Sequence, residues 1–201
     1  YVRFSKDSEP GKIRYKGEDV SLDVPEPVFS MASGFYPNEI QLALSAPKGT
    51  EIHYTLDCSD PTKDSPVYQS PLTINDRSKE ENIWSAREDV CATFVLKTGR
   101  YAVTSFPVDK CTVVRAMCVD ESGRTGRIVT GSYFIGFEKK EGYENVGMIS
   151  LVSDPDNLFG YEKGIYVLGK TNDRRLENDP SNKDTEWWHW SGNFRKTKWE
   201  R

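Results

Sequence analysis

Short segments of alternating polar and apolar residues, separated by turn sequences, dominate the middle of the chain. Residues 39–45 and 51–57 each place apolar side chains at every second position, which is the repeat of a β-strand with one solvated face. Between them lies Pro47-Lys48-Gly49, a turn sequence because Pro presets φ and Gly tolerates a positive φ. The pattern therefore predicts antiparallel strands joined by tight turns.

Further strand-like segments extend this pattern on both sides. They lie at 27–30, 67–68, 72–74, 112–119 and 127–135, with a turn at 120–123. About seven short strands in roughly 110 residues is typical of an immunoglobulin-like β-sandwich. The sequence thus predicts an all-β fold, an immunoglobulin-like antiparallel β-sandwich with extended, loop-rich N- and C-terminal segments.

The regular pattern is interrupted in three places, which suggests the domain organisation. Residues 1–25 are polar and turn-rich and are interpreted as a leader or linker, and the sandwich then spans 26–136. Residues 75–110 lack firm periodicity, and a loop of that length inside a compact sandwich indicates an insertion. Residues 137–201 form a final region. It begins with a charged connector at 138–144, expected to be a solvated linker.

The final region contains three further predicted elements. Apolar runs at 148–152 and 164–168 are interpreted as strands, the first of a buried type, and 154–159 as a turn or single helical turn. Residues 170–198 are almost wholly polar apart from Leu176 and the aromatics near the end. Two strands cannot form an independent core, so this region is expected to pair with other sequence.

Charge and hydropathy exclude two classes of partner. The net charge of −4 is spread along the chain without a basic block, so binding of nucleic acid by charge is not expected. No apolar run approaches the roughly 20 residues that a membrane-spanning helix needs, and no membrane insertion is expected. The first residues include no initiating Met and no signal peptide, which favours an internal start.

Four cysteines raise the question of disulfides. An even number in a β-rich chain that is expected to be extracellular permits up to two bridges. Cys118 alternates with apolar neighbours and is predicted to be a buried free thiol. The disulfide candidates are Cys58, Cys91 and Cys111, and the preferred bridge joins Cys91 to Cys58 or to Cys111. Without a CxxC pair, and with two widely separated histidines, a zinc site is not expected.

Three aspartates in turns are the candidate ligands of a metal ion. Asp57, Asp60 and Asp120 would suit calcium if they converged, since this cation takes several oxygen ligands. Aspartates are commoner in turns for another reason, because their side chains hydrogen-bond their own backbone. The second explanation is favoured, and no metal is expected.

Clustered aromatic residues are the candidates for carbohydrate binding. Trp187, Trp188 and Trp190 lie within five residues, and the insertion adds Trp84 and Tyr101. Exposed aromatic rings beside carboxylates and amides can stack on the apolar faces of sugars. Alternatively, the rings pack against protein and hold a long loop in place, and this alternative is favoured.

The sequence offers no convincing catalytic site. His189, with Ser191 and Asp184 close in sequence, is the one candidate general base of a Ser-His-Asp type, but no GxSxG motif accompanies it. The phosphate-binding patterns GxxxxGK[ST] and GxGxxG are missing, as is an HxD catalytic loop. No catalytic residue and no cofactor are therefore expected.

Residues 27–135 resemble the chitobiase/β-hexosaminidase C-terminal type module, a small immunoglobulin-like sandwich. The matching strings are Ser33-Gly34-Phe35-Tyr36, Leu42-Ala43-Leu44-Ser45-Ala46-Pro47, Ile52-His53-Tyr54-Thr55-Leu56-Asp57-Cys58-Ser59-Asp60-Pro61 and Val113-Val114-Arg115-Ala116. The usual form has Gly where Cys58 stands. Gly there would suit a turn with positive φ, whereas Cys either tolerates a milder turn or is held by a bridge.

A second resemblance, to bacterial CotH-family proteins, covers residues 27–201. It rests on Asp76-Arg77-Ser78, Trp84-Ser85-Ala86, Val108-Asp109-Lys110-Cys111-Thr112, Tyr133-Phe134-Ile135-Gly136, residues 149–159, residues 164–169 and Trp199-Glu200-Arg201. The resemblance accounts for the insertion. It also implies that 137–201 form a connector and the N-terminal edge of a CotH-like domain, whose kinase-like body would follow Arg201.

These observations favour a non-catalytic accessory module of a secreted or cell-surface bacterial protein. The expected partner is the adjacent kinase-like domain of the same polypeptide, which the module would position. Two alternatives stay open. One is a carbohydrate-binding module that recognises cell-surface or plant glycans, and the other is an inactive fragment of an active CotH-type protein kinase.

Overall fold

The structure, a computed structural model, describes residues 12–15, 18–21, 24–87, 89–90, 106–143, 147–182 and 192–193. Ten strands are described: β1 Lys12–Tyr15, β2 Glu18–Ser21, β3 Val28–Phe29, β4 Gly34–Tyr36, β5 Ile40–Leu42, β6 Leu44–Ser45, β7 Thr50–Thr55, β8 Leu72–Ile74, β9 Thr112–Asp120 and β10 Val129–Ile135. The described helices are α1 Pro155–Phe159 and α2 Gly169–Asn178, with 3-10 turns at Phe137–Lys139 and Pro180–Asn182. Within these described ranges, no helix is both long and apolar enough to cross a membrane.

The chain divides into two compact units. Unit 1 comprises Tyr1–Arg77 and Lys110–Val152, and unit 2 comprises Ser78–Asp109 and Ser153–Arg201. The first segment of unit 2 lies within the stretch 75–110 that the sequence singles out as an insertion. Residues 137–152 belong to unit 1, whereas the sequence assigned them to the region that follows the sandwich.

Unit 1 is an all-β sandwich, as the sequence predicted. Its largest sheet has the strand order β4-β10-β9-β7, the smaller pairs β3–β6 and β5–β8 complete the sandwich, and unit 1 also contains the antiparallel pair β1–β2. The pairing of β10 with β4 is parallel, while β9 pairs antiparallel with both β10 and β7. Strand β9, one of the two interior strands of this sheet, is buried over eight of its nine residues.

The core of unit 1 lies between the sheet and the smaller strand pairs. Leu42 of β5, Ile74 of β8, Val114 and Cys118 of β9, and Tyr133 of β10 are almost completely inaccessible to solvent. They belong to one hydrophobic cluster, and burying each aliphatic side chain contributes about 2 kcal/mol. Cys118 is buried and its thiol is free, which confirms the prediction for this residue.

Tyr133 occupies the centre of this core. Its hydroxyl donates a hydrogen bond to the carbonyl of Met31 (3.0 Å), and burial, with a smaller contribution from Tyr36, raises the pKa of Tyr133 to about 12. The ring lies over Gly131, where an added Cβ would meet the Tyr133 hydroxyl at 2.7 Å. Glycine is thus needed at position 131 because the aromatic ring covers its α-carbon.

The predicted strand at 39–45 is divided into two strands with different partners. Ile40–Leu42 pairs with β8, and Leu44–Ser45 pairs with β3. At the break, the backbone carbonyl of Ala43 accepts from the amide of Ser30 (2.8 Å), and the Ser30 hydroxyl accepts from the amide of Ala43 (2.9 Å). The segment therefore changes its strand partner at Ala43.

The predicted strands beyond residue 147 are wrong. Ile149 and Leu151 are 83% and 92% exposed, so residues 148–152 are not a buried strand. Residues 164–168 form a turn, in which Val167 is buried and bridges to Val90. The helical turn predicted at 154–159 is confirmed as α1: Asp154 caps it by accepting from the amide of Asp156 (2.9 Å), and a proline occupies its first position.

Cys58 adopts a left-handed backbone conformation, with φ of 69°. This is the positive φ that glycine would suit at this position. The turn is held by Asp57, whose carboxylate accepts from the amide of Ser59 (3.0 Å), and by Thr55, whose hydroxyl donates to the carbonyl of Ser59 (2.7 Å). A Cβ in this region costs about 1 kcal/mol.

We expect Cys58→Gly to be more stable than Cys58→Ala by about 1 kcal/mol, because Ala keeps the strained Cβ and Gly removes it. Urea denaturation of both variants under reducing conditions measures the difference in the free energy of unfolding. A Gly variant less stable than the Ala variant would contradict the left-handed assignment, since Gly is the worse residue wherever φ is negative.

Candidate functional site

The chain that leaves the last strand of the sandwich is held against the sandwich by an aromatic cluster. Gly136, with φ of 73°, turns the chain after β10, and its amide donates to the carbonyl of Tyr36 (2.8 Å). Phe137 is then buried. We call this cluster the connector dock, and its residues are Phe35, Phe134, Phe137, Lys140 and Tyr143.

Ring contacts define the connector dock. The centroid of the Phe137 ring lies 5.3 Å from that of Phe134 and 4.9 Å from that of Tyr143, both in edge-to-face geometry. Phe35 stacks on Phe134 at 5.0 Å. Aromatic pairs in such geometries contribute about 1 kcal/mol each beyond the area they bury. The dock therefore holds Phe137 and Tyr143, which lie at the two ends of the described connector, against β4 and β10.

Two lysines attach the same segment through polar contacts. The ammonium of Lys139 donates to the carbonyl of Pro37 (2.8 Å) and to the side-chain oxygen of Asn38 (3.0 Å). Lys140 pairs with Asp76 (3.2 Å), and its ammonium lies 4.6 Å from the centroid of the Phe137 ring, which is a cation–π distance. The charges of the connector thus bind the sandwich.

Of the solvated linker predicted at 138–144, residues 138, 139, 141 and 142 are exposed, but Lys139, Lys140 and Tyr143 also contact the sandwich. The charges of this segment are evident in the sequence, but the role of Phe137, the aromatic residue directly after Gly136, is not. An aromatic side chain that follows a strand-ending glycine was the one available signal. Its partners Phe35 and Phe134 are brought together only by the parallel pairing of β4 with β10.

A second aromatic cluster lies in unit 2 and contains Trp84. The Trp84 ring stacks on Phe159 at 4.9 Å with 10° between the planes, and Phe159 stacks on Tyr166 at 6.0 Å. The guanidinium of Arg87 lies 5.8 Å and 5.1 Å from the centroids of Trp84 and Phe159. It also forms a two-point ion pair with Asp89. We call these residues the aromatic stack.

Local backbone bonds position the aromatic stack. Phe159 is the last residue of α1, and the amide of Tyr166 donates to the carbonyl of Leu158 (2.8 Å), which places the two rings side by side. Trp84 is 41% exposed and Tyr166 is 53% exposed. The stack thus combines packing inside unit 2 with aromatic surface that solvent reaches.

Asn193 is a buried polar residue that no sequence motif indicates. Its side-chain oxygen accepts from the amide (3.2 Å) and hydroxyl (2.8 Å) of Thr171, and its side-chain nitrogen donates to the carbonyl of Tyr161 (2.8 Å). The amide of Thr171 is in the first turn of α2, so Asn193 caps this helix from a distance. Gly169 leaves the room required, since an added Cβ would lie 2.4 Å from the Asn193 nitrogen.

Of the residues considered for carbohydrate binding, the structure describes Trp84. Tyr101, Trp187, Trp188 and Trp190 lie outside the described residues, as do His189, Asp184 and Ser191. The other histidine, His53, is buried in β7, with its Nδ1 3.0 Å from the carbonyl oxygen of Ser65. Its contacts belong to the sandwich.

The three candidate calcium ligands are not brought together. Asp120 pairs with Thr50 at one end of the β7–β9 ladder, whereas Asp57 and Asp60 follow Thr55 at the other end. Asp60 forms an ion pair with Arg115, and Asp57 accepts from Ser59. In the part of the chain that the structure describes, no group of three or more His, Cys, Asp or Glu residues could hold a metal ion.

Cys58 and Cys111 are half-buried free thiols, and Cys91 lies outside the described residues. Burial is the main cause that raises the pKa of both thiols above the ordinary value. Both residues are therefore largely protonated at neutral pH and react slowly as nucleophiles.

Comparison with known proteins finds one family similar to part of the chain. Residues 40–133, a little under half of the chain, match the family described as Fn3 associated, which agrees with the immunoglobulin-like sandwich of unit 1. No curated protein and no solved structure matches the chain. The match supports an accessory module, and it gives no support to the CotH resemblance.

The turn between β9 and β10 depends on the ionised form of Asp120. Its carboxylate accepts from the hydroxyl of Ser122 (2.7 Å), from the amide of Arg124 (2.8 Å) and from the Arg124 guanidinium (2.7 Å). The hydrogen bond from Ser122 is the largest cause that lowers the pKa of Asp120 to about 2, and the contacts of Arg124 add to it.

We expect Asp120→Asn to lower the thermal midpoint at pH 7, because the folded state favours the carboxylate. This stabilisation is complete above the unfolded pKa of about 4 and is lost as the pH falls through about 2. Differential scanning calorimetry from pH 7 to pH 2 measures it. The difference between wild type and variant should shrink below pH 4, and Glu121→Gln, at the neighbouring exposed residue, is the control. A difference independent of pH would refute the assignment.

Proposed function

We propose that the chain is a non-catalytic accessory module of a secreted or cell-surface bacterial protein similar to the CotH family, and that it positions an adjacent kinase-like domain of the same polypeptide. The connector dock carries this proposal. A module that sets the position of its neighbour must fix the direction in which the chain leaves it. Here the chain leaves the sandwich through a segment that is packed on the sandwich.

The contacts of the connector dock are strong enough to hold the segment. Burial of the Phe137 side chain contributes about 2–3 kcal/mol, and its two edge-to-face partners add about 1 kcal/mol each. Exposed ion pairs contribute little, so the polar contacts of Lys139 and Lys140 mainly set the orientation. The connector accordingly stays bound to the sandwich in most molecules.

The path of the chain supports the same proposal. Unit 2 contains two separate segments, so the backbone passes between the units three times, after residues 77, 109 and 152. The two units are thus joined by three backbone connections rather than by one flexible linker, which suits an accessory module with a positional role.

We expect Phe137→Ala to release the connector. Loss of this buried ring removes about 3 kcal/mol of packing, so trypsin should cleave after Lys139 and Lys140 at least tenfold faster than in wild type. Limited proteolysis followed by mass spectrometry measures the two cleavage rates.

Two controls separate local release from general unfolding. Arg115 lies in the buried strand β9, so cleavage there reports unfolding of the sandwich and should stay slow. Val28→Ala, which truncates an exposed side chain of the same unit, should leave all rates unchanged. The positional role is untenable if trypsin cuts wild type at Lys139 as fast as at the exposed turn residue Lys48.

A second candidate function is binding of plant or cell-surface glycans, and the aromatic stack favours it. The exposed part of Trp84 lies beside the guanidinium of Arg87, which pairs with Asp89, and Phe159 joins Trp84 to the exposed ring of Tyr166. Aromatic rings flanked by hydrogen-bonding groups are typical of sugar-binding surfaces. Packing of Trp84 on Phe159 explains the same residues without a ligand, so this function ranks below the positional role.

For the glycan-binding function, we expect Trp84→Ala to weaken retention in affinity gels that contain a soluble plant polysaccharide by about tenfold, because a stacking ring is lost. Phe106→Ala is the matched control, since it removes another exposed aromatic ring of unit 2. The same retention for both variants, or no retention of wild type on any polysaccharide tested, would exclude a glycan site at the aromatic stack.

A further inference from the structure

Cys58 and Cys111 lie just beyond the same end of the ladder formed by β7 and β9. Strands β7 and β9 pair antiparallel from Thr50 opposite Asp120 to Thr55 opposite Arg115. Cys58 comes three residues after Thr55, where β7 ends, and Cys111 comes one residue before β9 begins at Thr112. Antiparallel strands bring residues at such positions next to each other. The topology therefore places the two cysteines together although they are far apart in sequence.

Arg115 ties the loop of Cys58 to β9. Its guanidinium donates to the carbonyl oxygen of Cys58 (2.9 Å) and forms an ion pair with Asp60, and the side chains of Arg115 and Asp60 are nearly buried. These contacts connect Cys58 and the following Asp60 to the strand that Cys111 precedes. The loop is thus held close to the start of β9, not merely adjacent to it in the topology.

The electrostatic surroundings of the two thiols agree with this arrangement. After burial, the next largest cause of the raised pKa of Cys58 is the charge of Cys111, an effect that requires proximity. Arg77 acts on both thiols in the opposite direction, toward the thiolate. The pair therefore lies in one partly buried environment next to a shared cation.

We propose that Cys58 and Cys111 form a disulfide when the protein meets a small-molecule disulfide oxidant such as oxidised glutathione. One thiolate attacks the oxidant and releases one molecule of glutathione, which leaves a mixed disulfide. The second thiolate displaces the bound glutathione as the second leaving group. Two protein thiols lose two protons and two electrons, and one disulfide of the oxidant is reduced to two thiols.

The disulfide would close a covalent loop around residues 59–110, which contain β8 and the first segment of unit 2. Closing a loop of this length restricts the unfolded chain and stabilises the fold. We expect oxidation to raise the thermal midpoint by roughly 10 °C. This inference is independent of the proposed function, because it rests on the two cysteines and their strands and not on the connector dock or on a neighbouring domain.

Peptide mapping of the intact chain tests the proposal without any substitution. The protein is incubated with oxidised glutathione at pH 8, quenched in acid, alkylated and digested with trypsin, which places all four cysteines in different peptides. The expected product links the peptide 49–63 to the peptide 111–115. Linkage of Cys91 to either peptide, or recovery of Cys58 and Cys111 as alkylated thiols, would overturn the proposal.

Substitutions then connect the bond to stability. Cys91→Ser should keep both the linked peptides and the shift in the thermal midpoint, whereas Cys58→Ser and Cys111→Ser should each abolish both. Thermal midpoints of each variant before and after oxidation provide the comparison. A midpoint that rises equally in Cys58→Ser would show that another bond causes the stabilisation and would contradict the proposal.

Discussion

The burial of β9 on both of its faces is the constraint on which the sandwich depends. This strand pairs with β7 on one side and β10 on the other, and its side chains supply the centre of the core. Because the polar Arg115 lies in this buried strand, it needs partners, and it finds them in Asp60 and the carbonyl of Cys58. Burying a charge without such partners would cost several kcal/mol. The left-handed turn at Cys58 and the conformation of the following loop are thus tied to one buried guanidinium.

Local patterns in the sequence predicted those parts of the fold that local physics decides. The alternation in 51–57, the turn at 120–123 and the apolar run of β9 identified their elements, because each element's periodicity reports its own exposure. The division of 39–45 between two partners could not be predicted, since the choice of partner depends on residues far away in the chain. At residues 148–152 the sequence instead predicted burial that the structure does not show. An apolar run has the same pattern whether the side chains are buried or, as for Ile149 and Leu151, exposed.

The candidate sites likewise separate into features that local sequence shows and contacts that depend on distant residues. The sequence identified Trp84 and Cys58 as unusual residues, but their neighbours come from elsewhere in the chain: Phe159 for one, Arg115 for the other. It grouped Asp57, Asp60 and Asp120 because all three lie in turns, and only the strand register shows that these turns are at opposite ends of one ladder. Phe137 was missed because charged neighbours in sequence concealed a role that depends on the parallel pairing of β4 with β10.

The path of the chain between the two units also sets the order of events during synthesis. Strand β7 ends at Thr55, and its partner β9 begins at Thr112, so the ribosome must complete the first segment of unit 2 before the central ladder can form. At about 5–20 residues per second, β7 remains without this partner for several seconds. During that time its edge can pair with another chain. A low concentration of nascent chains, or a chaperone that covers β7 until β9 emerges, would limit such pairing.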